Sequence, residues 1–321
     1  MCYSAQIERD WNKYVRIVGP QAAMNLEDFI RKYWWRQHEL HSMKIPKAVD
    51  AWFTRDGNGD QAKIADMIET FNEKDASKFE QELFKQKKRL ADAERSLQKK
   101  ETKKALHDQR VATDKISWAL GKLSDIKRTE LKNRDAYIFP GYLVPVIVVE
   151  NGKRTMKLMR YQCRPAGKPK FLDKDLTTFN ARRDNLGGNY WKPLFGYSHG
   201  IMIVNSFFEK VSRAKLEGRK LKPGEDDPSV TLEFHPNPTQ EMYVACLWSH
   251  WQEGEEELDS FAAITDEPPP EVAAAGHDRC IIPIKEENID AWLNPDPKNL
   301  DAMHTILEDR ARPYYEHRLA A

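Results

Sequence analysis

Cysteine is scarce and scattered: Cys2, Cys163, Cys246 and Cys280 are the four in 321 residues, with no Cys-x-x-Cys pair among them. That spacing excludes a disulfide framework and a cysteine-built zinc site, and a reduced, cytosolic setting is expected. Long apolar runs are missing as well, so no membrane-spanning helix is expected. The first ten residues have neither the basic nor the apolar region of a secretory signal. There is no phosphate-cradling P-loop, because Asn185-Leu186-Gly187-Gly188-Asn189 is not followed by Lys-Ser/Thr. His235, His250 and His277 lack metal-ligand spacing, so neither a metal nor another cofactor is expected. Proline is absent from 60 to 134, a stretch long enough for uninterrupted helix.

What is present supports a folded chain. Apolar residues make up 40% and aromatics 10%, enough for a large core, while 31% charged residues leave room for a long solvated element. Leu26, Phe29, Ile30, Tyr33 and Trp34 recur at helical spacing, predicting a helix over 26–37 capped by Asn25; Ile45-Pro46 precedes a second, short helix through Ala48, Val49, Trp52 and Phe53. From 60 to 134 the apolar positions are sparse. Leu83, Leu90 and Leu97 are seven apart, as are Leu106, Thr113 and Leu120, with Ala93, Ile116 and Leu123 as partial second positions, which predicts two long helices packed as a coiled-coil hairpin that turns near Lys99–Lys104.

After Arg134 the period changes to that of strands. Leu143–Val149 and Thr155–Tyr161 flank Asn151-Gly152, a strong hairpin signal. Further strands are expected at 200–208, 230–234, 242–248 and 261–265, then a helix over 285–293 and a proline-punctuated tail ending in a helix. The expected fold is α+β: a mostly antiparallel sheet or partly closed β-barrel with surrounding helices and an inserted long helical hairpin. The expected organisation is a catalytic domain from 1–59 and 135–293, the hairpin at 60–134 and a C-terminal extension at 294–321.

The formal charge of +1 conceals segregation. Between Lys153 and Arg183 there are ten Lys or Arg against Asp173 and Asp175, whereas Trp251 to Glu271 holds eight acids and no base. A polyanion-binding face opposite a repelling face would show this pattern, and so would solvated loops.

Cys2 is the residue with distinctive chemistry. Removal of Met1 would put an α-amine and a thiol on one residue, with ordinary pKa values of about 7.7–8.0 and about 8.5, so both nucleophiles are accessible near neutrality. An aldehyde can condense with the amine, and the thiol can then close a thiazolidine. Three polar clusters beside strands offer partners: Asn180–Asn185, Asn205–Glu209 and Gly276–Arg279.

In order and context these clusters resemble the SRAP family, the SOS response-associated peptidase-like proteins that crosslink to abasic sites. The matching features are Met1-Cys2, Asn180-Ala181-Arg182, Phe207-Phe208-Glu209, and His277-Asp278-Arg279 followed by Ala291-Trp292-Leu293. Phe139-Pro140-Gly141 is similar to the family's Ala-Pro-Gly turn. The resemblance covers 1–5 and about 135–293. It departs at Tyr3-Ser4, where the family continues Gly-Arg, at Asp184-Asn185 in place of Glu-Thr, at Lys210 in place of Trp, and at Cys280-Ile281 in place of Met-Pro.

The resemblance implies an abasic deoxyribose in single-stranded DNA as substrate and a crosslinking role in the DNA damage response. Cys2 would be the nucleophile, Glu209 and His277 the proton-transfer groups, and Asn180 the hydrogen-bonding anchor. Arg182 and Arg183 would clamp phosphates, with Arg160, Lys168, Lys170, Tyr3 and Ser4 completing the DNA-contacting set. Two alternatives stand beside this: a cysteine peptidase or self-processing activity of Cys2 with His277 as base, and a non-catalytic DNA-binding scaffold whose hairpin docks a protein partner.

Overall fold

The computed structural model describes residues 4–19, 26–38, 44–53, 57, 59–174, 177–222 and 224–320; Cys2, Tyr3 and Asn25 lie outside the described residues. Along the chain come β1 (Ser4–Ile7), α1 (Trp11–Val18), α2 (Leu26–Gln37), α3 (Lys47–Asp50), α4 (Gly59–Lys99) and α5 (Lys103–Lys127). Then follow β2 (Tyr137–Ile138), β3 (Leu143–Glu150), β4 (Lys153–Tyr161), β5 (Asn180–Arg182), β6 (His199–Ser212), α6 (Arg213–Leu216), β7 (Ser229–Asn237), β8 (Met242–Glu253) and β9 (Glu256–Asp266). The last elements are α7 (Pro270–Ala274), β10 (Cys280–Ile281), β11 (Pro283–Ile284), α8 (Ile289–Leu293), α9 (Leu300–Glu308) and β12 (Tyr314–Leu319). They form two compact units, one from Met1–Lys32, His41–Trp52 and Asn133–Ala321, the other from Tyr33–Leu40 and Phe53–Lys132.

In the first unit the sheet closes on itself. β6 pairs with β8, β8 with β9, β9 with β4, β4 with β3, and β3 again with β6, a closed five-strand ring in which only the β4–β9 pairing is parallel. Both faces of its strands are covered: Val146, Ile147, Leu158, Ile201, Val244 and Phe261, which do not all share one face, are all buried. The β3–β4 hairpin turns on two residues, with positive φ at Asn151 (52°) and Gly152 (72°), the conformation that Asn-Gly tolerates. Gly200 admits close strand packing: a Cβ there would lie 2.9 Å from Val146 Cγ1 and 3.3 Å from the Ile147 carbonyl oxygen.

β6 runs for 14 residues and serves two layers. Its first half pairs with β8, and its second half pairs with β7 on one edge and β1 on the other, in the register Ser4↔Phe208 and Glu209↔Leu232. The chain end is a strand, not the expected helix. α9 forms within the tail, but β12 then adds to β7 from Tyr314↔Asn237 to Leu319↔Leu232.

The second unit holds the helical hairpin, turning between Lys99 and Lys103 with the Thr102 hydroxyl capping α5 by accepting from Ala105 N–H at 3.2 Å. Its seam includes the expected second positions Ala93 and Leu123, which are buried, but not the Leu106–Leu120 series. Leu106 and Leu120 are 43% and 49% exposed, while Ala105, Ala112 and Ala119, one residue earlier in each heptad, are buried opposite Gln86 and Ala93 of α4. Alanine lets the two backbones approach closely, and the larger side chains turn outward.

Candidate functional site

Glu209 sits in the second half of β6, almost wholly buried, and His277 reaches it from the segment before β10. A buried carboxylate needs a partner of opposite charge or a proton. Here Oε2 of Glu209 lies 2.9 Å from Nε2 of His277. Local geometry aims the histidine: two residues past the end of α7 stands Gly276, whose φ of +95° suits glycine and whose N–H donates to the Ala273 carbonyl at 2.9 Å. Nδ1 of His277 lies 2.9 Å from the Arg279 carbonyl oxygen and 3.3 Å from the Arg279 nitrogen. The shorter contact assigns a proton to Nδ1. Nε2 is then left facing the buried Glu209 carboxylate, a juxtaposition of imidazole and carboxylate suited to general acid–base chemistry.

Asn180 begins β5, which lies parallel to β9 with Asn180↔Ala263 and Arg182↔Thr265. It is buried, and Tyr161 Oη donates to its Oδ1 at 3.3 Å. β10 reaches the same end of β9, with Cys280↔Asp266 and Ile281↔Thr265. The Asn180–Asn185 and His277–Arg279 clusters therefore meet around the end of β9, and the His277–Glu209 contact joins the third. Asp184 and Asp266 tie them further. Asp184 accepts two hydrogen bonds from Arg182, at 3.1 and 2.6 Å, and lies 3.7 Å from Arg279. Asp266 binds Arg183 at 2.9 Å and Arg310 at 2.5 Å, and Arg183 also meets Glu308 at 2.6 Å.

The charge segregation resolves into pairing between neighbouring strands. Arg160 and Arg164 both grip Asp173; burial would raise that carboxyl, but the hydrogen bonds from Arg164 and Arg160 outweigh it and hold it below the ordinary range. Lys170 meets Glu256 at 2.5 Å, and Lys157 meets Asp259 at 3.1 Å. Lys168 lies 5.9 Å from the Tyr190 ring centroid. Of the expected DNA-contacting set, Arg182 is exposed but paired, Arg160 and Arg183 are largely enclosed by acids, and Ser4 is buried in the sheet. The basic and acidic stretches are thus adjacent strands and loops of one unit rather than opposite faces.

Tyr315 of β12 was not legible as a site neighbour, because nothing in the tail's sequence marks it. Its ring meets Phe207, two residues before Glu209, edge-on at 5.2 Å, and its hydroxyl donates to the Met242 thioether at 3.5 Å. It also hydrogen-bonds with the Cys280 thiol. Burial, and then the Glu209 charge, push that thiol up. Burial likewise pushes the Cys163 thiol up to about 12 and raises that of Cys246, so all three described cysteines remain protonated at neutral pH.

Among the described residues no helix is long and apolar enough to cross a membrane. No curated protein matches the chain. Among solved structures, it is similar to a protein from Bordetella bronchiseptica at 16% identity and a TM-score of 0.46, over 60% of this chain and 90% of that one. A protein from Bacteroides thetaiotaomicron is similar at 13% and 0.45, over 58% and 78% of the two chains, and a phage-related protein from Bordetella bronchiseptica at 17% and 0.44, over 61% and 85%. The family model for SOS response associated peptidase (SRAP) matches residues 95–319, from the distal part of α4 to the last residue of β12. The match spans more than half of the sequence, and the chain belongs to the SRAP family.

Proposed function

We propose that the protein, once Met1 is removed, captures abasic sites in single-stranded DNA covalently through Cys2. The observation that carries this reading is the buried Glu209–His277 pair at 2.9 Å, one residue along β6 from the Phe208 that pairs with Ser4. Two peptide steps separate Ser4 from Cys2, so the chain can reach at most about 7 Å between them. The three described cysteines are held as thiols by burial, which supports Cys2 as the nucleophilic one.

The ring-opened abasic sugar carries an aldehyde at C1′. The Cys2 amine bonds to C1′, and the pair relays the two protons the nitrogen sheds, one after the other, to the aldehyde oxygen, which leaves as water and leaves an imine. The Cys2 sulfur then bonds to C1′ and its proton passes to the nitrogen, closing the thiazolidine. Aldehyde and aminothiol thus give a thiazolidine and one water, and the Glu209–His277 pair ends unchanged. Asn180 holds the amine or a sugar oxygen, and Arg182 exchanges Asp184 for a flanking phosphate. Single-stranded DNA is the fitting substrate, because a base-less nucleotide in an open strand is reached without unpairing.

Intact-protein mass spectrometry with an abasic oligonucleotide tests the reading. The wild type lacks Met1 and gains the mass of the oligonucleotide less one water, while Cys2→Ala gains nothing; an equal adduct on Cys2→Ala refutes it. Peptide turnover that survives blocking of the α-amine would instead assign the thiol to proteolysis.

A further inference from the structure

Among the described residues, cations without an ion pair are concentrated on the distal part of the helical hairpin. Of the ten Lys and Arg between 153 and 183, seven are in ion pairs. On the distal hairpin the proportion reverses. Residues 85–104 carry nine Lys or Arg against Asp92, Glu94 and Glu101, a net charge of +6. Among the described residues of this stretch, Arg89, held by Asp108 at 2.5 Å, and Arg95, held by Asp92 at 2.7 Å, form close ion pairs, while Lys85 and Lys104 feel the charges of Glu82 and Asp108 only at longer range. The seven lysines are all exposed. Lys85 and Lys88 of α4 and Lys104 of α5 line one shallow groove of about 470 Å³ between the helices, and the two acids of that groove, Asp92 and Asp108, are the ones already bound to arginine.

From this we infer that the distal hairpin is a second nucleic-acid contact, binding the phosphate backbone without reading sequence. Along α4, residues 85–99 span about 21 Å at the helical rise, and the inter-helix packing holds the lysine backbones in a fixed array. A duplex shows one phosphate charge per about 1.7 Å of axis, so about twelve phosphates lie along that length. The arm's free charge is independent of the reading above; the choice of nucleic acid among polyanions rests on it.

The test uses the full chain with an undamaged 25-base-pair duplex, which contains no aldehyde. The combined variant Lys85→Gln, Lys88→Gln, Lys99→Gln and Lys104→Gln is compared with the wild type across salt concentrations, with circular dichroism confirming equal helicity. Four lost phosphate contacts lower the slope of log affinity against log salt by about 3.6. Between 50 and 200 mM salt the wild type then loses about 150-fold more affinity than the variant. Replacing the same four with Arg retains the steep slope. Slopes equal within about 0.5, or binding confined to anionic lipid vesicles, overturn the inference. Capture of a short abasic oligonucleotide is measured on the same samples. Its absence from the wild type, with the slope change intact, would refute the crosslinking reading and leave the arm's role standing.

Discussion

Acid should loosen the strand that carries Glu209, and His199 gives the size of the effect. His199 opens β6, is almost fully buried, donates from Nδ1 to the Trp292 carbonyl at 3.0 Å, and accepts the Gly196 N–H on Nε2 at 2.8 Å. Both nitrogens are committed in the neutral form, and burial pulls the imidazole down from 6.5 to about 3. Between those values the unfolded chain binds a proton that the folded chain does not, so stability rises with pH through the window and is lost as pH falls below about 6.5. From pH 7.5 to pH 5 the loss attributable to His199 is about 2 kcal/mol. The perturbation is His199→Gln, whose amide cannot gain a proton. Urea unfolding of both proteins at each pH gives the difference, in which all other titrating groups cancel. The variant is less stable at pH 7.5, and the gap narrows by about 2 kcal/mol at pH 5. A gap that stays constant with pH would show that His199 does not resist protonation in the fold.

The remaining predictions concern the site and the hairpin. Glu209→Gln keeps the side chain's size but cannot share a proton with His277, so the initial rate of capture of an abasic oligonucleotide falls by about 10²–10⁴-fold; an unchanged rate removes Glu209 from the chemistry. Non-covalent affinity for a lesion analogue without the aldehyde stays the same in that variant, as measured by fluorescence anisotropy. In the hairpin, Ala112→Leu forces the seam apart and costs about 1–3 kcal/mol, whereas Leu120→Ala changes stability by no more than about 0.5 kcal/mol. Chemical denaturation followed by the helical signal separates the two, and equal costs would contradict the alanine seam.

Features set by local chemistry were legible in the sequence. The helix at Leu26–Gln37, the break after Lys99 and the Asn151-Gly152 hairpin each follow from spacing or turn preference within a few residues. Features set by distant partners were not. The alanine seam has the same seven-residue period as the Leu106–Leu120 series, and only contact between helices tells which phase is buried. β12 has one buried side chain, Tyr315, and becomes a strand because β7 offers it an edge. The Glu209 and His277 residue types were readable in order, but their 2.9 Å contact depends on Gly276 and on strands that meet across the sheet. Whether the basic run at 153–183 was a binding face or solvated loops depended on its partners, and seven of its ten cations pair with acids such as Asp173, Glu256 and Asp266 that lie far away in sequence or on other elements.

The central claim is that one residue, Cys2, supplies both the amine and the sulfur bonded to C1′. Proteolysis of the purified DNA adduct, followed by fragment sequencing in the mass spectrometer, tests it most directly. The account predicts the sugar remnant on the peptide that begins at Cys2, with neither its amine nor its thiol open to alkylation; a remnant on a lysine, or on a peptide containing Cys163, Cys246 or Cys280, would contradict it.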